Sequence, residues 1–152
     1  MPALIIAALV LLLDWGTKWL VMDRMAEFQQ VPVIPGLFSL EFVYNPGAAF
    51  GILRHQQWLF ILITSAVVVV LAVLAFRKEG KGTLMQVALG LLLGGALGNF
   101  IDRVRWGKVV DFFLLYWKNW TFPNFNVADM AITFGVGLLI LHVLRTGEKE
   151  HL

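Results

Sequence analysis

Four long stretches almost free of charge constrain this chain more than anything else in it. Residues 58–76 and 83–101 carry no charged side chain. Residues 127–144 hold one acid, Asp129, and residues 3–21 hold only Asp14 and Lys18. Each stretch has 18 or 19 residues, or about 27–29 Å of helix at ~1.5 Å per residue. That matches a hydrocarbon core of ~30 Å. A backbone inside lipid must satisfy its own polar groups, so four such stretches predict four transmembrane helices. The remaining sequence agrees: 59% of its residues are hydrophobic and 14% charged, outside the soluble norm.

Composition also removes several classes of function. A net charge of +2, with the basic residues scattered, offers no stripe for nucleic acid. The absence of cysteine excludes disulfides, a thiol nucleophile and thiolate metal sites. His55, His142 and His151 stand far apart with no ligand spacing, so no metal and no cofactor are expected. A cleaved signal peptide is the rival reading of residues 3–21. The stretch lacks a basic start and no small-residue cleavage site follows it, so we read a retained helix.

The connections carry their own signals. Within 22–57, Val31-Pro32-Val33-Ile34-Pro35-Gly36 is extended and turn-like, because proline excludes helix. Phe38, Leu40, Phe42 and Tyr44 then alternate with Ser39 and Glu41, a period of two that predicts a half-buried strand. Asn45-Pro46-Gly47 ends it with a turn. The fold class expected is therefore an all-α membrane protein of four helices, with a small sheet over 31–44 between helices 1 and 2, resting at the membrane surface. We expect one integral membrane domain over residues 1–152. The short, basic 77–82 connection predicts antiparallel neighbours. In helix 3, Gly90, Gly94 and Gly98 give two overlapping G-x-x-x-G spacings, suited to close helix packing. Residues 109–126 read as a re-entry loop that leaves helix 3 and returns to helix 4 at the same face. Lysine and arginine counts on the two sides do not decide orientation. Tryptophan and tyrosine, however, gather toward the face opposite the termini, including Trp15, Trp58, Trp117 and Tyr116.

Ionisable groups in apolar sequence cost free energy unless paired, protonated or wetted, so they mark function. Asp111 stands in Val109-Val110-Asp111-Phe112-Phe113 with no capping or pairing role apparent. Asp129 opens helix 4. The loop between them permits the two carboxylates to meet near one membrane surface. Like charges that close cannot both ionise readily, so such a pair shares a proton and can act as acid and base on water. Asp14 and Lys18 share one side of helix 1, and Asn99 and Arg103 one side of helix 3. Asn126 suits a helix cap. Ser39 and Ser65 are the only serines and neither has a base motif nearby, so a serine mechanism is poorly supported.

Taken together these residues resemble the bacterial lipoprotein signal peptidases, the type II signal peptidases. The likeness runs in order through Asp14-x-x-Thr17-Lys18, Asn45-Pro46-Gly47-Ala48-Ala49-Phe50, Gly94-Gly95-Ala96-Leu97-Gly98-Asn99, Asp102-Arg103, Val109-Val110-Asp111-Phe112 and Phe125-Asn126-Val127-Ala128-Asp129. The resemblance implies an aspartyl endopeptidase of the inner membrane that removes prolipoprotein signal peptides, cutting just before a diacylglyceryl-modified cysteine. It implies Asp111 and Asp129 as the catalytic dyad. It places Asp14, Lys18, Asn45, Gly47, Asn99, Arg103, Asn126 and Ala128 around or beneath the site. It further implies a monomer with lipidated prolipoprotein and membrane lipid as partners, cytoplasmic termini, an extracytoplasmic sheet, and a dyad toward the extracytoplasmic leaflet.

Two rivals use the same residues. Paired intramembrane acids also mark ion-coupled transporters. Those usually show internal repeats and a midplane site, whereas this chain has no repeat and its acids cluster at one interface. A non-catalytic assembly subunit built on the G-x-x-x-G helix would leave Asp111 unexplained.

Overall fold

The computed structural model describes residues 2–47, 56–77 and 82–147. Ala48 to Phe50, the interior of the 77–82 connection, and the tail bearing Lys149 and His151 lie outside the described residues. Among the described residues four helices are long and apolar enough to cross a membrane. They are α1 (Pro2–Arg24), α2 (Gln57–Phe76), α3 (Thr83–Trp106) and α4 (Val127–Gly147). Helix α3 is the hub, packing against each of the other three. Over its most apolar window it is 56% buried, against 22%, 6% and 17% for α1, α2 and α4. The outward faces of those three helices carry exposed Leu9, Leu62, Val69, Phe134 and Leu144. Water would not tolerate that surface and lipid does.

Glycine explains how α3 holds three neighbours. A Cβ on Gly90 or Gly94 would sit 2.7 Å from the backbone oxygens of Ala3 or Ala7 in α1. On Gly95 it would sit 2.5 Å from the oxygen of Ala128, and on Gly98 it would collide with the Asp14 carboxylate. The expected small-residue packing is thus split between faces: Gly90 and Gly94 admit α1, Gly95 admits α4, and Gly98 makes room for a buried acid. Helix α3 stops where Gly107 turns left-handed (φ 66°) and donates its N–H to Arg103 O at 3.0 Å.

The sheet differs from the expectation of strands between helices 1 and 2 alone. It has four antiparallel strands in the order β1 (Gln30–Ile34), β2 (Phe38–Asn45), β3 (Val109–Trp117) and β4 (Trp120–Thr121). Half of it therefore comes from the connection between α3 and α4, which is a strand and a hairpin rather than a re-entry loop. The reason lies in β3 itself. Its first four residues are all buried, so the run Val-Val-Asp-Phe-Phe-Leu-Leu does not alternate. A strand covered on both sides shows no period-two pattern to betray it. Phe42, Val110 and Phe112 pack with Val21 at the end of α1, fastening the sheet to the helices.

Candidate active site

Backbone pairing brings the two ends of the 109–129 segment together. Strand β3 lies beside β2 with Val43 opposite Asp111 and Asn45 opposite Val109, after an irregularity between Leu40 and Val43. The chain then reverses through β4. Phe113 and Phe125 exchange backbone hydrogen bonds of 2.8 and 3.1 Å. That bridge places Asn126, at the mouth of α4, next to Asp111. Asn126 caps α4 by accepting the Asp129 N–H at 2.9 Å, and Asp129 Oδ2 accepts the Asn126 N–H at 3.1 Å. This reciprocal capping box fixes the Asp129 rotamer.

Asn126 also joins the two acids. Its Nδ2 donates to Asp111 Oδ1 at 2.7 Å, and to Asn99 Oδ1 and Val110 O at 3.1 and 3.2 Å. Asn99 Nδ2 donates in turn to Asp129 Oδ1 at 2.7 Å. Asn45 Nδ2 donates to the second oxygen of Asp111 at 2.9 Å, while its own Oδ1 accepts the Gly47 N–H. Both oxygens of both acids are thus held by amide donors. Asp111 and Asp129 line one cavity of about 90 Å³ with Asn45, Gly47, Asn99 and Arg103, room for very few water molecules.

Beneath this layer lies a buried ion cluster. Lys18 Nζ is 2.7 Å from Asp14 Oδ2 and 2.8 Å from Asp102 Oδ2, and donates to Asn99 Oδ1 at 3.2 Å. Lys18, Asp14 and Asp102 are each at most 2% exposed. Asp14 Oδ1 accepts the Ala128 N–H at 2.9 Å, and Asp102 Oδ2 accepts the Val110 N–H at 3.2 Å. The cluster therefore reaches both acid-bearing segments, α4 through Ala128 and β3 through Val110. Asp14, Lys18, Asn45, Gly47, Asn99, Arg103, Asp111, Asn126, Ala128 and Asp129 all belong to this network or line its cavity. Asp14, Lys18 and Ala128 stand behind the cavity and do not line it. The pairing of Asp14 with Lys18 is real but incomplete without Asp102. Sequence reading gave Asp102 no role of its own, although it is the sole acid in α3 and follows Asn99 by three residues.

The electrostatics are asymmetric. Burial first, and the negative charge of Asp129 second, push the Asp111 carboxyl up to about 7; hydrogen bonds from Asn45 and Asn126 and the charge of Lys18 oppose this only in part. A carboxyl with that value is protonated about half the time at neutral pH. Arg103 donates through Nη1 to Asn99 O at 3.2 Å and lies over the Phe60 ring. Its buried Nε has no hydrogen-bond partner among the described residues. Among the described residues no group of three or more histidines and carboxylates is arranged to hold a metal ion.

A polytopic membrane protein with two acids beside one small cavity defines a narrow class, the intramembrane acid-lined enzymes and carriers. Comparison with known proteins decides within it. The chain belongs to the signal peptidase II family, whose sequence pattern, described as signal peptidase (SPase) II, matches residues 6–145. It is 46% identical over 149 residues to the lipoprotein signal peptidase of Symbiobacterium thermophilum, covering 98% of each chain. It is 44% identical to that of Halalkalibacterium halodurans, covering 95% of this chain and 93% of the relative. A bacterial membrane enzyme solved by the in meso method superposes with a TM-score of 0.88 at 37% identity, over 97% of this chain and 90% of that one. The protein is accordingly a protease.

Proposed function

We propose that the protein is an aspartyl endopeptidase that removes signal peptides from diacylglyceryl-modified prolipoproteins, cutting just before the lipidated cysteine. The observation that carries the mechanism is the shared cavity of Asp111 and Asp129, with Asn126 hydrogen-bonded to both residues. Asp111 holds the shared proton and Asp129 is the base. Water placed between them loses a proton to Asp129 as its oxygen attacks the scissile carbonyl. Asp111 protonates the carbonyl oxygen at the same time, giving a neutral gem-diol. Asp129 then passes its proton to the amide nitrogen, the C–N bond breaks, and one gem-diol hydroxyl returns a proton to Asp111. The dyad ends as it began and no acyl-enzyme forms. Arg103, whose Nε has no partner among the described residues, supplies a hydrogen bond to orient the substrate backbone. The reading also takes the protein as a monomeric, multi-pass unit of the bacterial inner membrane. Its termini are cytoplasmic, and its sheet and dyad lie on the extracytoplasmic side.

The test is cleavage of a synthetic prolipopeptide by purified protein across pH, with and without the diacylglyceryl group. The lipidated peptide should be cut far faster. Its kcat/KM should be bell-shaped. The sign follows from Asp111: its raised carboxyl is protonated below about 7, so activity falls as pH rises through that value and the acid form is lost. At low pH activity falls again as the base takes a proton. Equal cleavage of the unlipidated peptide would overturn the substrate assignment, and a flat profile from acid to alkaline pH would overturn the dyad.

A further inference from the structure

A second and larger cavity, about 790 Å³, opens on the sheet and meets the first. Asn45, Asp111 and Asn124 line both. Its remaining wall includes Gln30, Tyr44, Tyr116 and Phe122, together with Glu41. Among the described residues of that wall, Glu41 and Asp111 are the only charged ones, and none is a lysine or arginine. The Glu41 carboxylate is pinned: Asn124 Nδ2 donates to Oε2 at 2.9 Å and to the Glu41 carbonyl at 3.3 Å. None of the ion pairs among the described residues involves it. Lys108 is already taken up over the Tyr44 ring. A fixed, half-buried anion with no ion-pair partner among the described residues, in a cavity whose wall also carries Tyr116 and Phe122, is a receptor for a cationic side chain. A guanidinium or ammonium there gains a charge-assisted hydrogen bond and ring contacts together.

We propose that Glu41, positioned by Asn124, makes the enzyme selective for a lysine or arginine shortly after the scissile bond in the substrate. This rests on the proposed peptidase function. The direction of the substrate follows from polarity. The signal peptide is apolar and belongs among the helices, whereas this cavity lies on the sheet, outside all four spans. The chain it accepts is therefore the segment following the lipidated cysteine. Glu41 is not a catalytic residue, since nothing places it on the reacting atoms.

The experiment compares lipidated prolipopeptides identical except for Lys, Gln or Glu, placed in turn at each of the first few positions after the modified cysteine. At one position the wild-type protein should show a kcat/KM roughly five- to tenfold higher for Lys than for Glu, the scale of one partly buried charge pair. That ratio should shrink with added salt. It should collapse toward unity in Glu41→Gln and invert in Glu41→Lys. Each ratio is taken within one protein, so a general change in activity cancels. Ratios near unity at every position in the wild type, or a preference unchanged in Glu41→Lys, would overturn the proposal while leaving the peptidase reading intact. Failure to cut any of the peptides would instead count against the peptidase reading.

Discussion

Replacing Asp111 or Asp129 with asparagine should lower kcat/KM on a lipidated prolipopeptide by on the order of 10³-fold, the span that positioned acid–base catalysis covers. Asparagine keeps the shape of each side chain and removes its ability to move a proton. The two variants should fail alike, because the proton lost by one partner is needed by the other. They should nevertheless fold. Asp111 accepts one amide N–H on each oxygen, so an asparagine there loses one of two hydrogen bonds and also loses a buried carboxyl. Those effects oppose each other. A cooperative melting transition in detergent, kept within a few degrees of wild type, separates lost chemistry from lost structure. Substantial cleavage by both variants would end the dyad assignment.

Replacing Lys18 with methionine should be nearly as damaging, by a different route. The side chain fits, but Asp14 and Asp102 are left buried without their cation, and Asn99 loses a donor. Breaking a buried ion cluster in this way costs about 3–5 kcal/mol. Activity should fall with stability, because Asn99 is the group that holds Asp129 Oδ1. Adding Asp102→Asn to Lys18→Met should recover part of the lost stability, since one uncompensated charge is removed. The comparison is made by denaturant unfolding of the purified single and double variants. A single variant as stable as wild type would mean the cluster contributes no net stabilisation, and that the link from Lys18 to the site is incidental.

The parts of this fold that could be read in the sequence are those where one physical signal dominates. The apolar spans of about 19 residues gave four helices, and observed ends such as Arg24 and Trp106 lie only a few residues beyond the apolar limits. There the chain passes into interfacial side chains that remain helical. Strand β2 was legible from its alternation, with Leu40 and Phe42 packing on the core and Glu41 lining the sheet cavity. Its burial departs from that pattern: Ser39 is fully buried, hydrogen-bonded to Gln30 and Tyr116, and Tyr44, beyond an irregularity in the pairing, lines the same cavity as Glu41. Strand β3 was not legible, because Val109, Val110, Asp111 and Phe112 are buried alike. The two acids announced themselves by their cost in apolar surroundings. What local sequence could not carry was the third partner of Lys18, since Asp102 lies 84 positions away (102 − 18 = 84) and meets it only through helix packing. Glu41 likewise reads as an ordinary polar position until Asn124 closes on it from a distant segment.

Asp111 and Asp129 line one cavity, and the negative charge of Asp129 helps to hold the proton on Asp111. Infrared difference spectroscopy of the carboxylic C=O band against pH measures this directly, with Asp111→Asn identifying the Asp111 band. The wild-type protein should show Asp111 releasing its proton near neutral pH. In Asp129→Asn the same band should titrate at clearly lower pH, because the neighbouring negative charge is gone. A band that titrates identically with and without Asp129 would show that the two carboxyls do not interact, and would contradict the shared-proton mechanism.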